Sequence, residues 1–208
     1  MPKPYTPNDR WSQRAAREGY RARSVYKLME LDERFRLFEP GMTVLDLGAA
    51  PGSWLQFTAE KVGDRGRVIG VDLQPIEPVA ANVTTLQHDI TDTDGLLTVL
   101  KQMNVHTVDL VLSDLAPSTS GIKDVDQWRS IELSQAVTDI AGHLLKPDGR
   151  CVMKVFRGAD FDAFLKDLKK RWKDVRTAQV KASRDRSKEI YIIARTMSQQ
   201  CNNGTMPL

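Results

Sequence analysis

The chain has 208 residues, 41% of them hydrophobic and 27% charged, with two cysteines and a net charge of +3. This is the size and composition of one globular α/β domain, able to bury roughly 70% of its unfolded surface without staples. It excludes a membrane span, which needs roughly 20 apolar residues, and Cys151 and Cys201 are too few for a disulfide framework or a paired-cysteine metal site. The opening residues MPKPYTPNDRW hold no apolar stretch, so a cytoplasmic setting is expected.

Charge is distributed unevenly. Residues 1–27 carry seven Lys/Arg against two Asp/Glu, residues 28–153 ten against nineteen, and residues 154–188 twelve against five. An acidic middle between basic flanks suggests a small-molecule site bordered by surfaces that meet a polyanion. In chain order, residues 1–8 contain three prolines and are expected as a mobile part of a basic arm covering 1–23. Ser24 is a candidate N-cap for a helix running to Phe35, with Val25, Leu28, Leu31 and Phe35 at helical spacing. Pro40-Gly41 stops it. Strands are then predicted at Thr43–Leu47, Arg67–Asp72, Val83–His88 and Val108–Ser113, with helices at Gly52–Val62, Asp92–Met103 and Trp128–Leu145. After a turn at Lys146–Gly149 come a strand Arg150–Phe156, a helix Asp160–Trp172, and strands Val175–Ala182 and Glu189–Arg195. Such alternation argues a parallel sheet with helices on both faces. Residues 24–197 read as one domain, and the polar tail 198–208 as disordered.

The segment Val44-Leu-Asp-Leu-Gly-Ala-Ala-Pro-Gly-Ser-Trp54 ends a strand at small residues and leads into a helix, so a ligand could approach the backbone at the carboxyl edge of the sheet. Ala50 and Pro51 interrupt a GxGxxG pattern, and no Gly-Lys-Ser/Thr follows, which disfavours both dinucleotide and nucleoside triphosphate readings. Asp72 ends the second predicted strand, where a carboxylate can accept ribose hydroxyls, and Asp89 ends the third. Lys154 lies in the apolar strand Val152–Phe156; lysines are almost never buried without a partner. His88, His106 and His143 have no ligand spacing, so no metal is expected.

Asp46-Leu-Gly-Ala-Ala-Pro-Gly52, Asp114-Leu-Ala-Pro, Lys154-Val-Phe and Lys188-Glu-Ile-Tyr, in that order, closely resemble the FtsJ/RlmE family of S-adenosylmethionine-dependent RNA 2′-O-ribose methyltransferases. The resemblance covers nearly the whole chain. It implies a Rossmann-like class I methyltransferase fold, with a seven-stranded, mostly parallel sheet whose last strand is antiparallel. It implies a catalytic tetrad at Lys27, Asp114, Lys154 and Glu189, and S-adenosyl-L-methionine held by Gly52, Trp54, Asp72, Asp89 and Asp114. It further implies a monomer acting on a uridine ribose in the A loop of 23S rRNA, within the large ribosomal subunit, with no membrane partner. Ser53 and His88 depart from the family pattern, at positions where glycine and a small residue are expected.

The tetrad also makes chemical sense on its own terms. A ribose 2′-hydroxyl must shed its proton as it attacks a sulfonium methyl, and a general base contributes about 10²–10⁴-fold. A free lysine, with a pKa near 10.4, is mostly protonated at neutral pH; burial and a second lysine favour the neutral amine, while two carboxylates oppose this. Lys154 as base, with Lys27 as second cation and Asp114 and Glu189 orienting them, fits that need. Three rival readings are a methyltransferase of tRNA or another RNA, a non-catalytic RNA-binding assembly factor, and a nicotinamide dehydrogenase. An intact tetrad disfavours the second, and the missing glycine pattern the third. The basic residues Arg10, Arg14, Arg17, Arg21 and Arg23, and a second cluster from Lys166 through Lys173 to Lys188, are expected to form one positive surface around the site.

Overall fold

The protein is described here by a computed structural model covering residues 10–117, 120–183 and 188–197. Val, Leu and Ile fill both faces of the inner strands β1 (Thr43–Leu47), β2 (Arg67–Asp72) and β4 (Val108–Ser113), and such strands are stable only between two layers of helix. One seven-stranded sheet results. With β3 (Val83–Gln87), β5 (Leu145–Phe156), β6 (Trp172–Ala178) and β7 (Glu189–Met197), its order is β3-β2-β1-β4-β5-β7-β6. β7 alone runs antiparallel, between β5 and β6, as the family resemblance implies. The helices α1 (Arg10–Arg17), α2 (Val25–Phe35) and α3 (Ser53–Val62) cover one face. The helices α4 (Thr93–Gln102), α5 (Lys123–Leu144) and α6 (Phe161–Arg171) cover the other. Val25, Leu28 and Leu31 of α2 are fully buried, as their spacing predicts.

Several local expectations are corrected. The basic stretch before residue 24 contains α1: Trp11 and Ala15, four residues apart, turn inward while Arg10, Arg14 and Arg17 remain exposed. Ser24 is no side-chain cap, because the chain already turns helically at residues 22–24; its hydroxyl instead meets Ser53 Oγ at 2.9 Å. α5 begins at Lys123, not Trp128. The turn at Lys146–Gly149 is absorbed into β5 as an irregularity: Val108 pairs with Leu145 and Leu110 with Arg150. β6 starts at Trp172 directly from α6, ahead of the predicted Val175. The expectations for residues 1–9 and 198–208 lie outside the described residues. α2 and the turn before it are laced to the segment after β6: Arg34 donates to Gln179 O (2.7 Å), Lys181 N to Glu30 Oε2 (2.7 Å) and Arg23, ahead of the helix, to Ala182 O (2.8 Å).

Candidate active site

The six strands that run in one direction deliver their last residues to one edge, where open α/β sheets take ligands. After β1 the chain turns at Gly48 (φ 82°), whose amide and that of Ala49 donate to Val71 O. A Cβ at Gly48 would lie 2.3 Å from Leu115, so only glycine lets the first loop pass beneath the Asp114-Leu115 loop. Asp72, ending β2, accepts from Ala50 N and Gln74 N, both at 2.9 Å, and so ties the first loop to the second. Between them lies a cavity of about 830 Å³, bordered by Gly48, Ala50, Asp72, Asp89 and Asp114. Asp89 accepts from the amide and hydroxyl of Thr91, which holds its carboxyl below the usual range.

Gly52 and Trp54 lie behind this cavity and are not among the residues that line it. Trp54 is 3% exposed, packs in the α1–α3 core, and donates its indole N–H to Ser24 O at 2.8 Å. Gly52 (φ 104°) faces Arg21: a Cβ there would approach Arg21 Nη1 to 2.9 Å and Ile76 to 3.3 Å. The Arg21 guanidinium donates to Pro51 O (3.1 Å), Glu77 O (2.8 Å) and Pro78 O (2.6 Å), clasping the outside of the same two loops that Asp72 ties from within. Arg21 was expected to meet phosphate. In this structure its donors are committed to backbone carbonyls.

Lys27, Asp114, Lys154 and Glu189 converge beside the cavity from α2, the β4 loop, β5 and β7. Lys154 Nζ lies 3.0 Å from Asp114 Oδ1 and donates to Asp114 O at 2.6 Å. Lys27 Nζ lies 3.0 Å from Glu189 Oε2 and 3.6 Å from Asp114 Oδ1. Both lysines are buried, at 8% and 5% exposure, so the cluster offsets the cost of burying charge by pairing two cations with two anions. Burial disfavours ionisation of Asp114, but Lys154, Lys27 and the Tyr191 hydroxyl (2.5 Å) together hold its carboxyl below the usual range. Glu189 is held low in the same way: burial opposes ionisation, and Lys27 and Lys154 outweigh it. Ser183 Oγ also donates to Glu189 Oε2, at 2.9 Å.

Two residues here were not singled out by sequence reasoning. Tyr191 stands two residues beyond Glu189, on the same face of β7, opposite Lys154 in the register; the spacing in Lys188-Glu-Ile-Tyr could have found it. Asp46 is 1% exposed in β1, and its Oδ2 has no hydrogen-bond partner among the described residues. Burial, with Asp114 and Asp72 nearby, pushes its carboxyl well above the ordinary range. Only its apolar surroundings and the neighbouring strand ends signal this, and those are matters of tertiary structure.

The single positive surface expected around the site is also corrected. Arg14 pairs with Glu18 at 2.7 Å on exposed α1, while Lys169, Lys170 and Lys173 lie at the opposite, amino edge of the sheet, where α6 passes into β6. Among the described residues, no group of His, Cys, Asp or Glu could hold a metal ion, and no helix is long and apolar enough to cross a membrane.

The sequence profile of the FtsJ-like methyltransferases matches residues 20–197. Ribosomal RNA large subunit methyltransferase E of Hydrogenovibrio crunogenus is 46% identical over 188 residues, 90% of this chain and 91% of that protein. The protein of the same name from Azoarcus sp. is 48% identical over 186 residues, 89% of this chain and 90% of its own. Among solved structures, a Plasmodium falciparum protein assigned as a ribosomal RNA methyltransferase superposes with a TM-score of 0.77 at 28% identity, covering 86% of this chain and 98% of its own. The fibrillarin/Nop5p complex shares the fold, with a TM-score of 0.62 at 24% identity, covering 84% and 81% of the respective chains. With the fold, the loop after β1 and the profile in agreement over most of its length, the chain belongs to the FtsJ-like methyltransferase family.

Proposed function

We propose that this protein transfers a methyl group from S-adenosyl-L-methionine to the ribose 2′-oxygen of a uridine in the A loop of 23S rRNA, in the large ribosomal subunit, acting as a cytoplasmic monomer. The names of its relatives support the RNA class. The observation that carries the chemistry is Lys154 Nζ, 3.0 Å from Asp114 Oδ1 and set beside the Lys27–Glu189 pair, with Asp114 shared between this cluster and the cavity.

The residues present fit the cofactor. The cavity presents Asp72, Asp89 and Asp114 as acceptors beside the apolar Ile90 and Leu115, an acceptor set suited to a cationic nucleoside with a free ribose diol. When bound, S-adenosyl-L-methionine supplies an electrophilic methyl group on sulfur. Asp72 accepts ribose hydroxyls and Asp89 reads the base. Gly52 and Trp54 act from behind, Gly52 by admitting Arg21 and Trp54 by fixing the start of α3 against α2. Lys154, as the neutral amine, takes the proton of the substrate 2′-hydroxyl and becomes the ammonium that pairs with Asp114. Asp114, pinned by Tyr191, fixes the Lys154 amine, and Lys27 with Glu189 completes a cluster that places the hydroxyl and keeps water out. Residues 24–197 form the catalytic domain, and the basic segment 1–23 meets RNA through the exposed Arg10, Arg14 and Arg17.

Incubating labelled S-adenosyl-L-methionine with large subunits from a strain lacking this protein, then mapping the modified ribose, tests the reading. A single labelled 2′-O-methyluridine in the A loop is expected. Label in tRNA instead, or no transfer at all, would overturn it.

A further inference from the structure

The register of β7 separates the two basic clusters. β7 begins at Glu189, in the tetrad, and runs nine residues to Met197, which pairs with Trp172 at the start of β6. At about 3.3 Å per residue, the start of β6 lies roughly 26 Å from Glu189. Lys169 and Lys170 end α6 just before Trp172, and Lys173 follows it; all three are exposed. The side chains of Lys169 and Lys173 make no hydrogen bond or ion pair among the described residues, and that of Lys170 meets only the exposed Asp167, at 3.2 Å. Residues 166–176 carry six Lys/Arg against two Asp.

Positive charge is concentrated at this edge and only partly neutralised: Arg171 pairs with Asp139 at 3.2 Å, Arg176 with Asp174 at 3.1 Å and Arg150 with Glu39 at 3.1 Å. Arg195 stands directly opposite Arg150, an arrangement that is unfavourable for like charges. Burial, together with Arg150 and Arg176, lowers the Arg195 pKa. Arg150 and Arg195 have a structural duty: they donate to Arg36 O, Leu37 O and Phe35 O, capping the end of α2. The three lysines have none.

We propose that Lys169, Lys170 and Lys173 form a second RNA-binding surface, which grips the phosphate backbone of the substrate RNA at a point remote from the methylated nucleotide. Lysine suits such a surface, because an ammonium is a point charge that positions a backbone without reading bases. The inference rests on the RNA reading above. A competing account exists, because β6 is an edge strand and lysines blunt edges against strand addition. That account needs charge of either sign, whereas phosphate binding needs positive charge.

Reversal of sign therefore separates them. The variant K169E/K170E/K173E is titrated across a salt series against three probes: a short A-loop hairpin, deproteinised 23S rRNA and intact large subunits. Cofactor affinity serves as the folding control. With both 23S rRNA and subunits, the slope of log affinity against log salt should shrink by about 2–3, at roughly 0.7–0.9 for each lost phosphate contact. With the hairpin, too short to span both edges, binding and methyl transfer should be unchanged. An unchanged slope on 23S rRNA would assign the lysines to edge protection. Equal losses on the hairpin would place them at the catalytic surface. A loss on subunits but not on deproteinised RNA would assign them to a protein partner. Each of these overturns the proposal, whereas failure of the functional reading appears separately, as absent methyl transfer by the unsubstituted protein.

Discussion

Replacing Arg21 with alanine removes three donated hydrogen bonds, to Pro51 O, Glu77 O and Pro78 O, and frees the first and second loops from each other on their outer side. A hydrogen bond from a charged donor contributes about 1.5–3 kcal/mol when shielded from water. Arg21 is exposed, so water replaces much of this, and the three together should be worth about 1–3 kcal/mol. The loss falls on loop order, which cofactor binding must then restore, so the affinity for S-adenosylhomocysteine should weaken roughly 5- to 150-fold. Calorimetric titration reads this directly. Arg21→Lys should behave nearly as badly, because a single ammonium cannot span three carbonyls. Gly52→Ala should weaken the cofactor too, and less severely in the Arg21→Ala background, since the contact at 2.9 Å is gone while the positive φ remains. If Arg21→Ala left cofactor affinity intact while lowering the RNA salt slope by about 0.7, Arg21 would be a phosphate contact and the loop argument would be wrong.

Lys154→Ala should bind cofactor nearly normally and lose methyl transfer by about 10²-fold or more; near-normal turnover in Lys154→Arg would exclude proton acceptance, because a guanidinium stays protonated. Asp114 and Glu189 have lowered carboxyl pKa values, so their contribution to stability is complete above the unfolded-state values near pH 4–4.5 and is lost as pH falls through the folded values. Denaturant melts at stepped pH should therefore show a shallower acid loss in the double variant Asp114→Asn/Glu189→Gln, even though it is less stable at neutral pH; an unchanged acid slope would refute the charge assignment. Asp46 has the opposite sign: its raised pKa contributes stability below the unfolded value that is lost as pH rises. Asp46→Asn should match or exceed the parent in stability at pH 8 and lose that margin by pH 4, and a variant less stable at pH 8 would show that the carboxylate is needed as an anion.

The inner strands were legible because full burial on both faces imposes a short apolar run, as in Leu110-Val111-Leu112. Lys154 was legible for the complementary reason, a lone charge inside such a run. α1 was hidden because its exposed arginines outnumber the two residues, Trp11 and Ala15, that pack it down. The N-terminal five residues of α5 and the start of β6 were missed where helix and strand propensities give way to tertiary pairing. Arg21 and the α6–β6 lysines illustrate a harder limit. Nearness in sequence to Lys27 or Glu189 says nothing about which carbonyls a side chain will find, or at which end of a strand it will fall.

Because β7 is reversed, its first residue, not its last, reaches the catalytic edge, and the connection from β6 begins and ends there. That connection is the part laced to α2 through Arg34 and Glu30 and to the turn before α2 through Arg23, and α2 itself carries Lys27. The cofactor loops hang from β1 and β2, on the far side of β4. Half of the sheet could thus keep its cofactor while the other half diverges. A chimera designed to change the target RNA should exchange residues 23–35 together with residues 179–189 as one unit; moving either alone would break the three cross-links and shift one member of the Lys27–Glu189 pair without the other.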